Sequence, residues 1–116
     1  MPDALASASP IASDLYAKLK AALAPLGPYR EEIKKTSIHL ARHSAFLGVH
    51  PRKEHLLVTI KSDKAIKGRR IVKTEQLSAN RWHLEVRIGA RSEIDKEFLG
   101  WARRAYDLCG EKNNTE

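Results

Sequence analysis

Five histidines give this chain most of its potential for metal or acid–base chemistry, since it has a single cysteine. His39, His55 and His83 fall at outward-facing positions of three segments with strand-like alternation. If those strands were neighbours in register, three imidazoles could meet one metal ion. Solvated surface histidines are the simpler interpretation. We therefore predict no metal site and no cofactor.

The segment HPRK, residues 50–53, gathers anion-binding side chain types around a proline. Pro51 fixes the backbone at a corner, which is a structural task. His50, Arg52 and Lys53 are harder to explain as turn formers, because a turn does not need their charge. They are the first candidate anion site, and a purely structural turn is the alternative.

Basic residues are concentrated in the middle of the chain. Residues 30–90 contain 14 Lys or Arg against 6 Asp or Glu, and the whole chain has a formal net charge of +7. Arg69, Arg70 and Lys73 extend the candidate anion surface into the fourth predicted strand. Such a surface attracts phosphates, nucleic acid or an acidic protein, although a solubilising coat of charge has the same composition. No exposed row of aromatic side chains is predicted, which favours phosphate contact over base reading.

The sequence signatures of common enzyme classes are absent. There is no glycine-rich phosphate loop, no HExxH, no paired CxxC and no GxSxG. The carboxylates of the strand region lie beside basic residues, as in surface ion pairs. Cys109 falls near the end of a predicted helix, a position typical of a half-buried apolar residue rather than a reactive thiol. We predict a non-catalytic protein, with a small enzyme of unknown class as the less favoured alternative.

Helices are predicted at both ends of the strand region. Ser9 followed by Pro10 is typical of a helix start, and apolar residues then recur at helical spacing as far as Leu26. Pro28 could begin a short second helix. Ser92 with Asp95 resembles a capping box, which would begin a last helix that ends near Gly110.

Alternation of apolar and polar residues predicts five strands, at residues 36–41, 45–50, 55–61, 69–76 and 81–89. Trp82 shares its parity with Leu84 and Val86, which predicts that it belongs to the core. We predict an α+β fold, with a five-stranded, mainly antiparallel sheet covered on one face by an N-terminal and a C-terminal helix. The expected organisation is a disordered arm at residues 1–8, a single domain at 9–110 and a frayed tail at 111–116.

Length and composition exclude several other classes of protein. At 116 residues the chain suits one domain, and its 42% apolar and 30% charged content is globular. No apolar run approaches the roughly 20 residues of a membrane span. The N-terminal residues have neither the basic start nor the apolar block of a secretory signal. Together with the single cysteine, these features predict a cytoplasmic protein that does not act at a membrane.

Three separated blocks resemble an uncharacterised bacterial family known only as a domain of unknown function, DUF5655. They are AFLGVHPRKEHLLVTIK, RIVKTEQLSANRWHLEVRI and EIDKEFLGWARRAYDL, in that order. The likeness runs from about Leu15 to Leu108 and implies a compact α+β domain. It implies no activity, substrate or cofactor. The matching residues are Gly48, His50, Pro51, Arg52, Lys53, Gln76, Leu77, Ser78, Trp101 and Tyr106.

The function predicted from these patterns is a small binding module whose basic surface contacts phosphate-rich partners, with nucleic acid as one such polyanion. The alternative is a protein-interaction or homo-oligomerisation domain. It would pair through a sheet edge or through the outer sheet face, where Leu57 and Ile71 would supply apolar contacts.

Overall fold

The computed structural model describes residues 3–110. An antiparallel sheet has the strand order β1-β2-β3-β4-β6-β5, and two helices accompany it. The predicted α+β fold with two helices and an antiparallel sheet is therefore confirmed. The elements are α1 (Pro10–Leu23), a 3-10 turn (Ala24–Leu26), β1 (Arg30–Ile33), β2 (Ile38–Ala41), β3 (Ala45–Pro51), β4 (Leu56–Ser62), β5 (Ile71–Ser78), β6 (Arg81–Ile88), a second 3-10 turn (Arg91–Glu93) and α2 (Lys96–Leu108).

The prediction of five strands was wrong, because the sheet has six. The segment after Pro28, predicted as a short helix, forms β1 and pairs with β2, with Glu32 opposite His39 and Ile33 opposite Ile38. Backbone pairing with the edge of β2 overrides the local preference of this segment, as tertiary context often does.

The start of α1 was predicted correctly, and the start of α2 was not. Ser9 caps α1, with its Oγ accepting a hydrogen bond from the Ala12 amide at 3.0 Å. In α2 the capping residue is Asp95, whose carboxylate accepts from the Phe98 amide at 3.0 Å. Ser92 instead lies in the preceding 3-10 turn. A helix begins where a side chain meets the free amides of the first turn, and Asp95 is the residue placed to do so.

Part of the predicted N-terminal arm, residues 3–8, lies within the described residues. The backbone amide of Ala4 donates to the Lys34 carbonyl at 2.9 Å, and Ala4 is buried in a turn at residues 4–7. Residues 1–2 of the predicted arm and the predicted tail at 111–116 lie outside the described residues. No helix within residues 3–110 combines the length and the apolar character that crossing a membrane requires.

The core lies between the two helices and one face of the sheet. Strand β4 alternates strictly, and its Leu56, Val58 and Ile60 are buried. Trp82 of β6 is only half-buried and is not among the side chains that pack on the core, so the prediction that it belongs to the core was wrong. It pairs with Gln76 towards the end of the β5–β6 hairpin, where residues 72–80 are exposed.

A β-bulge in β3 redirects one large side chain. Leu40 pairs with Leu47 and Ala41 pairs with Ala45, so Phe46 is an extra residue in β3. Phe46 is buried and makes an edge-to-face contact with Tyr106 of α2, with the ring centroids 5.2 Å apart. The bulge thus turns Phe46 towards the helices, whereas regular alternation would have turned it away from them.

Candidate anion-binding face

The face of the sheet turned away from the core, here called the outer face, carries polar and charged side chains. One row of cross-strand partners crosses the sheet from β2 to β5. A second row places Lys61 of β4 opposite His83 of β6. The residues of the first row are His39, Gly48, Thr59, Glu85 and Lys73.

A depression of about 290 Å³, here called the histidine pocket, lies on this face. Gly48 leaves space there because it has no side chain, and the buried Phe46 at the bulge forms part of the apolar lining. A Cβ atom on Gly48 would lie 3.9 Å from His39 Cδ2 and 4.0 Å from His50 Nε2. The polar lining of the histidine pocket consists of His39, His50, Thr59, Lys61 and His83.

The pKa of His50 is lowered from its ordinary value of 6.5. Partial burial is the largest cause, and the positive charge of Arg52 and the neighbouring His39 act in the same direction. Glu85 opposes them. The ring is therefore mainly neutral at pH 7, and it gains a charge and a second N–H donor only when the pH falls.

The pKa of His83 is lowered for similar reasons. Partial burial comes first and the charge of Lys61 second, while Glu75 and Glu85 raise the pKa. Two histidines of one pocket thus have lowered pKa values, and both gain a positive charge on acidification. The histidine pocket becomes more positive, and so more attractive to anions, as the pH falls below about 6.5.

We expect the free energy of unfolding to fall as the pH is lowered from about 7.5 to about 5.5. In the unfolded chain these histidines titrate near pH 6.5, whereas in the folded protein they resist protonation. The unfolded state then binds more protons in this window, so acid favours unfolding. Thermal unfolding followed by circular dichroism at several pH values measures the effect.

The matched comparison is the double variant His50→Gln/His83→Gln, which should show a flatter dependence on pH over the same window. A wild-type midpoint temperature that stays constant or rises on acidification would contradict the prediction. Carboxylates titrate mainly below this window and should contribute little to it.

In the HPRK corner the backbone forms hydrogen bonds that hold the turn, while the side chains of Arg52 and Lys53 are exposed to solvent. The Arg52 amide donates to the His55 carbonyl at 2.8 Å and closes the turn. The Lys53 carbonyl accepts from Ser9 Oγ at 2.7 Å and ties the corner to the start of α1. The side chains of Arg52 and Lys53 are exposed, and neither forms an ion pair with another residue of the described range. The two interpretations of this corner are therefore compatible.

The other predicted anion-site residues, Arg69, Arg70 and Lys73, lie away from this corner. Strands β4 and β6 separate β3 from β5, which carries Lys73 and follows the two arginines. Lys73 lies opposite Glu85 on β6. Arg69 lines a separate hollow with Arg87. The structure thus distributes the six predicted residues over two regions of the molecule.

The side chain of Arg70 is engaged within the protein. Its Nη1 atom lies 2.9 Å from Asp95 Oδ1 and 3.2 Å from Glu97 Oε1. Its guanidinium lies over the Trp101 ring, 5.7 Å from the ring centroid, and also donates to the Glu93 carbonyl. Arg70 therefore links the start of β5 to the start of α2, and its charge is largely neutralised there.

The three histidines considered as metal ligands are not brought together. His39 and His83 line the histidine pocket. His55 precedes β4 and does not line this pocket, and the charges that act on it are those of Arg87 and Arg52. Among residues 3–110, no three His, Cys, Asp or Glu side chains are grouped so that they could hold a metal ion. The third histidine of the pocket is His50, which sequence reasoning assigned to the basic corner. The order of the strands in the sheet brings His39, His50 and His83 together, and no local sequence pattern predicts that order.

Comparison with models of protein families gives a match over most of the chain. A family model described as a domain of unknown function, DUF5655, matches residues 1–109. No curated protein and no solved structure matches the chain. The family match covers the helices, the sheet and the histidine pocket, and it agrees with the resemblance carried by the three sequence blocks. The chain therefore belongs to the DUF5655 family.

Proposed function

We propose that this chain is a non-catalytic binding module that contacts the phosphate groups of nucleic acid through its outer face and the HPRK corner. The observation that supports the proposal is a group of cations around the histidine pocket that form no ion pair with any residue of the range 3–110. Lys61 and His50 line the pocket, and the positive charge of Arg52 acts electrostatically on His50. The proposed location is the cytoplasm, as the composition predicts.

These cations differ from the basic residues that serve the fold. Arg70 and Arg91 each form ion pairs with carboxylates, at 2.9 and 2.7 Å. Within residues 3–110, Lys61, Arg52 and Lys53 form no such pair. Cations that are not neutralised internally are free to replace the counterions of a phosphate backbone.

The shape and composition of the outer face favour phosphate contact over base recognition. The described strands present no aromatic row there, and the histidine pocket has a volume suited to a small group. Glu85 lies beside the pocket and limits its positive potential. We therefore expect weak binding with little sequence preference, with dissociation constants of about 10⁻⁴–10⁻⁶ M at physiological salt.

Fluorescence anisotropy with a labelled oligonucleotide, single-stranded or duplex, tests the proposal at several salt concentrations. The double variant Arg52→Ala/Lys53→Ala should weaken binding and reduce the salt slope by about one unit for each phosphate interaction that it removes. The matched control is Arg103→Ala/Arg104→Ala, which removes the same charge from exposed positions of α2. The control should leave the salt slope nearly unchanged.

Two outcomes would contradict this assignment. If the wild-type chain does not bind at low salt, nucleic acid is not its partner. If both double variants weaken binding equally, the attraction comes from the net charge of the chain and not from the outer face. Thermal unfolding of both variants should remain close to wild type, since exposed charges contribute little to stability.

Gly48→Val tests the histidine pocket without changing any charge. The added Cβ would make only ordinary contacts, the nearest being Thr59 Cβ at 3.8 Å, so the fold should be kept. The side chain would occupy the space between His39 and His50. We expect affinity to fall by about tenfold, the effect of removing one charged hydrogen bond. Gly48→Ala should have a smaller effect, and wild-type affinity in Gly48→Val would place the phosphate contact outside the pocket.

A further inference from the structure

Strand β5 forms one edge of the sheet and is exposed along nearly its whole length. It pairs with β6 on one side, and on its other side no strand of the described residues pairs with its backbone groups. Seven of its eight residues are exposed. A long edge strand of this kind can pair with another chain unless it is protected.

The two edges of the sheet differ in how they are protected. Strand β1 has four residues, three of them charged. Strand β5 is twice as long, contains no proline and exposes Val72 and Leu77, at 56% and 49% of their surface. These two residues are among four large apolar side chains that are exposed within the described part of the chain. They flank the regularly paired segment of β5, residues 73–76.

The charges of that segment select one register for pairing with a second copy. When two identical antiparallel strands join in one sheet, facing side chains lie on the same face, so the two-fold axis must pass through a residue position. An axis at Lys73 or at Glu75 would place like charges opposite each other. An axis at Thr74 places Lys73 of each copy opposite Glu75 of the other. That register forms two cross-strand ion pairs, each of the kind that stabilises a sheet.

We propose that two copies of this chain pair through β5, antiparallel, about a two-fold axis at Thr74. The two six-stranded sheets then become continuous. In this register Val72 of one copy lies opposite Gln76 of the other. Lys73 and Glu75 are available for the contact, because neither forms an ion pair within residues 3–110.

The axis is perpendicular to the sheet, so the two outer faces lie on the same side of the dimer. A single strand pair buries less area than a stable interface needs. The dimer is therefore weak and depends on protein concentration.

A charge exchange between two variants tests the register. Lys73→Glu alone places Glu opposite Glu at both contacts, and Glu75→Lys alone places Lys opposite Lys. Each variant should weaken self-association by about tenfold or more, as expected for like charges facing each other. An equimolar mixture of the two variants should associate again, because both contacts of the mixed dimer can pair charges of opposite sign.

Sedimentation velocity measures association up to millimolar protein, with no nucleic acid present. Recovery in the mixture would establish the register. A general effect of net charge would not produce this recovery, because both variants keep a net positive charge and would still repel each other. A wild-type chain that stays monomeric would overturn the proposal, as would variants that associate like wild type. Loss of association in both variants without recovery in the mixture would overturn the Thr74 axis. None of these results depends on the nucleic-acid binding proposed above.

Discussion

Replacing Phe46 with Ala is expected to lower the free energy of unfolding by about 3–5 kcal/mol, as for other large-to-small changes in a core. Only 1% of Phe46 is exposed. Its ring makes edge-to-face contacts with Tyr29 and Tyr106, at centroid distances of 5.7 and 5.2 Å. The variant removes buried apolar surface together with both aromatic interactions. Urea denaturation followed by circular dichroism measures the change.

The matched control is Ile11→Ala, because Ile11 is an apolar residue with 49% of its surface exposed. That change should lie within about 0.5 kcal/mol of wild type. A loss below about 1 kcal/mol for Phe46→Ala would mean that the bulge does not bury this ring. The same variant links the core to the histidine pocket, since Phe46 anchors the bulged segment next to Gly48.

Gly27→Ala is expected to destabilise the protein by about 3 kcal/mol, combining backbone strain with overpacking. Gly27 has φ 124° and ψ −171°, a region that residues other than glycine rarely enter. A Cβ atom there would lie 2.6 Å from Tyr106 Oη. That hydroxyl donates to the Pro28 carbonyl at 2.8 Å and cannot move without breaking the bond. Thermal and urea unfolding measure the destabilisation.

Two further variants separate backbone strain from overpacking as causes of the destabilisation by Gly27→Ala. Gly100→Ala is the control, because a Cβ at that exposed helical position would meet nothing within 4 Å. It should stabilise the protein by about 0.5–1 kcal/mol. Gly27→Ala/Tyr106→Phe removes the clashing hydroxyl and should recover part of the stability. If Gly27→Ala is as stable as wild type, the turn between α1 and β1 does not require glycine.

Local periodicity was sufficient to predict the strands that carry the predicted site. Leu56, Val58 and Ile60 alternate with polar residues, and β4 buries these three as expected. Period-two alternation also placed His39 and His83 on the outer face. This works because successive side chains of a strand point to opposite faces whatever its neighbours are.

Local signals were insufficient where a segment gained its structure from a partner. Residues Arg30–Ile33 have no strand alternation, and they become β1 by pairing with β2. Trp82 has the parity of the core, yet it remains half-buried at the end of a hairpin. Arg70 looked available for an anion, but Asp95 and Glu97 are distant in sequence and adjacent in space. Each outcome depends on contacts between residues far apart in the chain.

Residue types and their spacing are enough to specify the α+β class, the polar character of the outer face and the charged side chains of the HPRK corner. They suffice because burial preference and strand parity are local properties. The shared pocket of His39, His50 and His83 required the folded chain. That grouping needs the β2-β3-β4-β6 order and the bulge at Phe46, and both are set by cross-strand register, which the packing of the whole sheet selects.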